Sequence, residues 1–142
     1  MILTLAIAIS SLAVFAGEEN VSKKVLDAFK TEFATAKEVE WTISNDYYKA
    51  SFVYNDKFVF AFYNLDGDLL GLTRYISTTE LPLNLQIDLK KNNKGYWVSD
   101  LFEVAKHGTA YYYITLENAD TKMILQSTGG SNWEVFKTVK KL

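Results

Sequence analysis

Side chains that could carry out catalysis are scarce in this sequence. The chain contains a single histidine, His107, and no cysteine. A serine triad, a thiol nucleophile and a histidine-rich zinc site each require residues that the chain does not have. The sequence therefore argues against these classes of enzyme, and we expect no catalytic residue, no metal and no cofactor.

Acidic residues and glycine-rich turns are the remaining candidates for chemistry. Two carboxylate pairs are close in sequence, Glu38 with Glu40 and Asp100 with Glu103. A glycosidase pair also needs one carboxyl group with a raised pKa, and no neighbouring residue predicts one. The segment Asp66-Gly67-Asp68 lacks the other ligands of an EF-hand, and Gly129-Gly130-Ser131 lacks the lysine of a phosphate-binding loop. Both segments are typical of turns between strands.

Length, charge and composition favour one folded domain without a nucleic-acid partner. The chain has 142 residues, of which 15% are aromatic, and it contains one proline. This is enough to bury a substantial core and is unlike a disordered chain. The formal net charge is -2 with the charges interspersed, which does not provide the basic patch that phosphate backbones require.

Residues 1–16 resemble an export signal. Residues 2–14 are almost wholly apolar or small, and Val14-Phe15-Ala16 has small or medium residues where a signal peptidase needs them. We expect cleavage after Ala16 and a periplasmic or secreted mature chain of residues 17–142. The apolar run is shorter than the about 20 residues of a membrane span, so we expect no membrane insertion after cleavage. No lysine or arginine precedes the run, and the alternative is a buried N-terminal strand or helix.

A helix followed by four strands is predicted between about residues 20 and 80. Asn20 is a candidate cap for a helix whose apolar residues recur at three- and four-residue spacing through Phe33. Alternating or aromatic runs then predict strands over 38–44, 47–54, 57–63 and 69–76. Asn45-Asp46, Asn55-Asp56 and Asp66-Gly67 provide the turns.

The same order recurs between residues 81 and 142, at a period of about 60 residues. Pro82 is suited to the first position of a second helix that carries Leu85 and Leu89. Four further strands are predicted over 96–104, 109–116, 121–128 and 133–139. The predicted fold class is α+β: a tandem repeat of one helix plus four antiparallel strands, forming a single curved sheet with two helices on one face.

Several short motifs, taken in order, resemble a known family. They are Ala-x-x-Val-x-Trp from Ala36, Tyr-x-Ala-x-Phe from Tyr48, Tyr-x-x-Asp-Gly from Tyr63, and Glu-Leu-Pro from Glu80. Together they resemble the PepSY-like, β-lactamase-inhibitor-like proteins exported by Bacteroidetes. The resemblance covers essentially the whole mature chain and implies an exported tandem domain with no established activity. Inhibition of a β-lactamase is not implied, because that part of the name reflects similarity of fold.

The second repeat departs from the first in two respects. It lacks an Asp-Gly turn, and it has the polar residues Gln126 and Ser127 where the first has Ala61 and Phe62. Equivalent binding by both halves is therefore not expected.

Strand alternation predicts which side chains lie on the sheet face away from the helices. If Phe52, Phe58, Phe60 and Phe62 face the helices, Lys49 and Tyr63 face away from them. The same reasoning applied to the other strands adds three more tyrosines. The candidate binding residues are Lys49, Tyr63, Tyr75, Tyr111 and Tyr113. The alternative is that these tyrosines only complete the sheet, since tyrosine favours strands on propensity alone.

These observations favour a non-catalytic exported module that binds a protein or peptide through its open sheet face, as a regulator or inhibitor of a periplasmic or surface enzyme. One alternative is a carrier that holds a small apolar ligand between sheet and helices near Trp41, Trp97 and Trp133. Another is a structural homodimer that closes sheet on sheet. The sequence does not separate the three, because each requires a half-apolar face.

Overall fold

The computed structural model describes residues 14–142, with side-chain positions from Gly17 onward. Most of the predicted export signal therefore lies outside the described residues. Val14–Ala16, its last three residues, form a short strand in the structure. The predicted cleavage after Ala16 stays a prediction.

The described residues form an α+β fold with one open antiparallel sheet, as predicted. Its two α-helices are α1 (Lys23–Glu32) and α2 (Leu83–Asn92). Its strands are β1 (Val14–Ala16), β2 (Lys37–Ile43), β3 (Tyr48–Tyr54), β4 (Lys57–Tyr63), β5 (Leu69–Tyr75), β6 (Trp97–Lys106), β7 (Thr109–Glu117), β8 (Thr121–Thr128) and β9 (Glu134–Lys140). The order of strands in the sheet is the order along the chain, β1 to β9, so every strand pairs with its sequence neighbours.

The helices begin at different kinds of residue. Ser22, rather than the predicted Asn20, precedes α1, and its hydroxyl accepts a hydrogen bond from the Val25 amide at 3.4 Å. Asn20 instead ends a short 3-10 turn, Glu18–Asn20, that precedes the cap. Pro82 precedes α2, where its missing amide hydrogen costs no helical hydrogen bond. Both helices are therefore started by local sequence, about where the pattern predicted.

Two separate clusters of buried side chains hold the helices against the sheet. The first core lies under α1 and contains Val21, Val25, Phe29, Phe33, Trp41, Ala50, Phe52, Ala61 and Tyr63. The second core lies under α2 and contains Leu81, Leu85, Leu101, Tyr112, Ile114, Leu116 and Leu125. Among residues 17–142, no residue of either core precedes Val21.

Both helices cover the same face of the sheet. Leu72 of β5 packs against the first core and lies directly opposite Ala105 of β6. Leu101 has the same parity as Ala105 on β6 and belongs to the second core. Because alternate residues of a strand share a face, α1 and α2 lie on one side, which leaves the opposite side as an open face.

The phase of β4 differs from the prediction. The two-residue Asn55-Asp56 turn places Tyr54 opposite Lys57, and the resulting register places Phe52 opposite Val59. Ala61 and Tyr63 therefore face the helices, and both are 0% exposed, while the phenylalanines of β4 lie on the open face. The predicted position of Tyr63 on the open face is wrong, because a two-residue hairpin pairs even-numbered residues of β3 with odd-numbered residues of β4.

A glycine with positive φ lies beneath the first turn of each helix. Gly67 (φ 91°) precedes β5, and a Cβ atom there would lie 3.1 Å from the Lys24 carbonyl oxygen. Gly130 (φ 75°) precedes β9, and a Cβ atom there would lie 2.9 Å from Cγ of Pro82. Both turns need glycine for its backbone conformation and for the close approach of the helix.

Candidate functional site

Six aromatic side chains extend across the open face. Phe58 and Phe60 come from β4, Tyr75 from β5, Phe102 from β6, Tyr113 from β7 and Phe136 from β9. We call this set the aromatic row. Neighbouring strands are about 4.8 Å apart, so a row from β4 to β9 covers roughly 24 Å of the sheet.

Ring contacts join the row into two groups of three rings. In the first half of the molecule, the Phe60 ring lies 5.2 Å from Phe58 and 6.0 Å from Tyr75, both nearly perpendicular to it. In the second half, Phe102 and Tyr113 stack at 5.1 Å with an interplanar angle of 14°, and Phe136 meets the Tyr113 ring edge-on at 5.8 Å. Tyr75 lies directly opposite Phe102 across the β5–β6 pair, so the two groups are neighbours on the sheet.

Within the row, exposure is greatest at Tyr75. Tyr75 is 66% exposed, compared with 53% for Phe58 and 48% for Phe136. Tyr75 belongs to β5, the middle strand of the sheet. A large exposed aromatic side chain on an apolar surface is a residue type that often dominates protein binding energy.

Polar groups border the row. The Lys49 ammonium group lies 5.4 Å from the centroid of the Phe60 ring, within range of a cation–π interaction. The Gln126 side-chain amide donates a hydrogen bond to the Tyr113 hydroxyl at 3.0 Å. Burial raises the pKa of Tyr113, and the neighbouring Tyr111 raises it further, so the hydroxyl stays neutral at physiological pH. These contacts hold Phe60 and Tyr113 in place without adding a reactive group.

The structure brings together four of the five predicted site residues. Lys49, Tyr75, Tyr111 and Tyr113 all lie on the open face, where Tyr111 is opposite the buried Val104. Tyr63 lies in the first core, where burial raises the pKa of its hydroxyl and the nearby Glu32 adds to the effect. That hydroxyl has no hydrogen-bond partner among the described residues.

Sequence reasoning missed the phenylalanines of the row. The sequence pattern predicts Phe58 and Phe60 on the helix face and assigns no face to Phe102 or Phe136. The positions of Phe58 and Phe60 could have been predicted from the sequence. The register of the two-residue β3–β4 hairpin places Phe58 opposite Val53 and Phe60 opposite Ser51. The position of Phe136 could not have been predicted in this way, because Phe136 lies at a register shift between β8 and β9.

The acidic residues do not form a catalytic pair. Asp100 lies opposite Thr115 on the open face, while Glu103 lies opposite Arg74 on the helix face. The Arg74 guanidinium donates to Glu103 at 3.0 Å, and this hydrogen bond is the main reason that the pKa of Arg74 is raised. Arg74 also contacts Glu80 at 3.4 Å, which ties the turn before α2 to the sheet. Within residues 17–142, no group of three or more potential metal-ligating side chains occurs.

The three tryptophans do not share a site. Trp41 is buried in the first core. The Trp133 indole packs on the second core and donates a hydrogen bond to the Leu85 carbonyl at 3.1 Å. Trp97 is 53% exposed beneath the Lys141 ammonium group, 4.7 Å from its ring. No single site therefore brings the three tryptophans together, and the ligand carrier stays a prediction.

The architecture defines a class of small α+β protein with two helices on one face of an open antiparallel sheet. A DUF2874 family protein from Bacteroides uniformis shares it with a TM-score of 0.73 at 18% identity, over 84% of this chain and 89% of that chain. A BLIP-like protein from Bacteroides fragilis has a TM-score of 0.71 at 17% identity, over 84% of this chain and 86% of that chain. A Bacteroides eggerthii protein provisionally described as periplasmic has a TM-score of 0.72 at 18% identity, over 84% and 88%.

These structures show that the chain has the BLIP-like fold. No family model matches the sequence, and no curated protein matches it. Among the described residues, neither helix has the length and apolar character needed to cross a membrane.

Proposed function

We propose that this protein is a non-catalytic exported binding module that recognises a protein partner through the aromatic row, and that it regulates or inhibits a periplasmic or surface enzyme. The observation that carries the proposal is the row of six aromatic side chains, in two adjacent groups of three, on the sheet face that the helices leave uncovered. Protein interfaces are enriched in aromatic residues and depleted in charge at their centre, which matches the composition of the row.

The geometry of the row favours a protein over a flat, stacked ligand. Apart from Phe102 and Tyr113, the rings in the row meet at 82° to 88°, so their edges rather than one common plane are presented outward. An uneven apolar surface of this kind is filled best by interdigitating side chains. The mixed border of Lys49 and Gln126 supplies a polar rim.

Membership of the PepSY-like, β-lactamase-inhibitor-like family and export to the periplasm are part of the same proposal. The supporting observations are the BLIP-like fold and the periplasmic description of one structural neighbour.

We further propose that the two halves are tandem repeats. A 3-10 turn, a helix and four strands occur twice in the same order. The glycines at positions 67 and 130 occupy the same place beneath the two helices. Two buried hydroxyls without a hydrogen-bond partner, those of Tyr63 and Ser127, also lie at corresponding places in β4 and β8.

The test compares capture by three forms of the chain that begins at Gly17: the parent, Tyr75→Ala and Leu83→Ala. Leu83 is 70% exposed on α2, on the opposite side of the molecule, and is the matched control. Each form is used as bait in the periplasmic and surface fractions of the producing cell, and the captured partner is purified and titrated. We expect Tyr75→Ala to weaken binding by at least about 2 kcal/mol, or roughly 30-fold, because central aromatic anchors dominate interfaces.

The captured protein is then assayed with and without the parent chain. A change in its activity that Tyr75→Ala abolishes and Leu83→Ala preserves supports the regulatory role. Equal binding by all three forms contradicts the proposal. If the parent instead forms a dimer by light scattering that Tyr75→Ala converts to monomer, the row is a homodimer interface.

A further inference from the structure

The first edge of the sheet is occupied by the chain's own N-terminal segment. Val14, Phe15 and Ala16 pair antiparallel with Ile43, Thr42 and Trp41. We propose that this edge of β2 is a strand-accepting site. In the mature protein it binds an extended segment of a partner protein in place of β1. The proposal rests on the predicted cleavage after Ala16 and concerns a surface separate from the aromatic row.

The core residues described among residues 17–142 all remain in the mature chain. Every residue of the two cores lies between Val21 and Leu125. The predicted cleavage site falls after the last residue of β1, so cleavage would remove the whole strand and nothing else of the described fold. The backbone amide and carbonyl groups of β2 that face β1 would then be unpaired, which is the situation that added strands exploit.

The two edges of the sheet differ in how they discourage added strands. At the far edge, β9 and the residue after it carry Lys137, Lys140 and Lys141, the charged residues that protect edge strands from pairing. At the β2 edge, the residues opposite β1 are Trp41 and Thr42, 4% and 6% exposed, and the half-buried Ile43. Only this stretch of β2 is a regular edge without charge, because Lys37, Glu38 and Glu40 precede it and the pairing of β2 with β3 has a bulge between Lys37 and Glu40.

The charges beyond β1 specify the partner further. β1 runs antiparallel to β2, so a partner segment that replaces it and continues would pass Glu40 and then Glu38. Both side chains are exposed, and neither has an ion-pair partner within 4.0 Å among residues 17–142. Opposite charges across neighbouring strands are stabilising. The site therefore fits a short apolar strand followed by basic residues.

The test uses a fluorescein-labelled peptide with the sequence of residues 10–16 followed by two lysines. Its binding to the chain from Gly17 and to the full chain is measured by fluorescence anisotropy, with circular dichroism to verify folding. We expect saturable binding to the chain from Gly17 and at least about tenfold weaker binding to the full chain, where β1 competes at high effective concentration. A peptide ending in two glutamates should bind more weakly, and one N-methylated at its last three amides should not bind.

A second pair of variants tests the same point without shortening the chain. Phe15→Pro removes a backbone donor from β1 and should make the full chain bind the peptide more tightly, whereas Phe15→Ala should bind like the full chain. Absence of binding to the chain from Gly17, or equal binding of the N-methylated peptide, overturns the proposal.

Tyr75→Ala in the chain from Gly17 separates this site from the aromatic row. Unchanged peptide binding supports a distinct edge site, whatever the outcome for the row, and lost binding overturns it. A dimer of the chain from Gly17 that the peptide dissociates would assign the edge to a second copy and overturn the partner assignment.

Discussion

The two halves of the molecule have the same order of elements but different cores. Under α1, four rings pack edge-on or tilted: Phe29, Phe33, Trp41 and Phe52, with centroids 4.9 to 5.5 Å apart. Under α2, the core is mainly aliphatic, with Leu85 and Ile114 both 0% exposed. Aromatic pairs add attraction beyond their buried area. The packing of these rings is therefore the main interaction that holds α1 on the sheet.

The second half holds its helix with polar contacts that the first half lacks. The Asn84 side-chain amide donates to the carbonyls of Gly130 and Ser131, each at 2.7 Å. The Trp133 indole donates to the Leu85 carbonyl. The position in α1 that corresponds to Asn84 is Lys24, which makes no side-chain hydrogen bond within residues 17–142. The comparison shows that one arrangement of helix and strands can be stabilised either by ring packing or by directional contacts to a turn.

The largest expected effect is in the aromatic core. Phe52→Ala removes a fully buried ring that contacts Phe29 and Phe33, and we expect it to lower the free energy of unfolding by about 3–5 kcal/mol. Urea denaturation followed by circular dichroism measures the change. Phe58→Ala, at a half-exposed position of the open face, is the matched control and should cost far less. Equal losses would contradict the assignment of faces.

The aliphatic core should respond somewhat less. Leu85→Ala removes a side chain that is 0% exposed under α2, and we expect a loss of about 2–5 kcal/mol, smaller than for Phe52→Ala in the same experiment. Leu83→Ala, on the exposed side of the same helix, should change stability little. A larger loss for Leu85→Ala than for Phe52→Ala would reverse the ranking of the two cores.

The polar contacts of α2 should give a smaller effect that the first half does not show. Asn84→Ala removes two hydrogen bonds to the turn before β9 and should cost about 1–2 kcal/mol. Lys24→Ala, the corresponding change in α1, should leave stability nearly unchanged. Thermal unfolding of both variants beside the parent measures the difference, and equal effects would show that the two helices are held alike.

The smallest effect depends on pH and again concerns only the second half. Glu80 accepts a hydrogen bond from the Ser77 amide at 2.8 Å, which, with the nearby Arg74, lowers the pKa of Glu80 from 4.5. A lowered folded-state pKa stabilises the fold above the unfolded-state value, and this stabilisation is lost as the pH falls through the folded-state value. Glu80→Gln should therefore lower the melting temperature slightly at pH 7.

The difference between Glu80→Gln and the parent should shrink below about pH 4.5 and vanish at lower pH. The first half has Asn20 at the end of its 3-10 turn and Gly17 before it, without a side-chain cap. Asn20→Gln should therefore show no such dependence on pH. A difference for Glu80→Gln that persists unchanged to pH 3 would contradict the prediction.

The sequence was sufficient to predict most of the helices and strands. The face of β4 was predicted wrongly because the register set by the β3–β4 turn was not used. Turn residues and alternation predict β4 and β8 with their observed bounds, because those signals are local. Asn55 and Asp56 have φ values of 49° and 62°, typical of the tight hairpin turn that fixes the pairing of β3 with β4. The register set by that turn places the three phenylalanines of β4 on the open face. Hydrophobicity alone predicts them on the helix face.

Other features could not be predicted because they depend on residues distant in sequence. Arg74 and Glu103 are 29 residues apart in the sequence, with α2 between them, and they meet only when β5 pairs with β6. The pairing of β1 with β2 joins Ala16 to Trp41 across the whole of α1. Neither contact has a local pattern, so both required the structure.

The sequential order of the nine described strands has a consequence for the rate of folding. Six of the eight strand pairings join strands connected by a short turn, and only two, β1 with β2 and β5 with β6, span a helix. Proteins dominated by such short-range contacts pay less loop-closure entropy before their contacts form, and they fold faster than sheets with long crossovers. The half that contains α1 can therefore assemble its aromatic core before the half that contains α2 has folded.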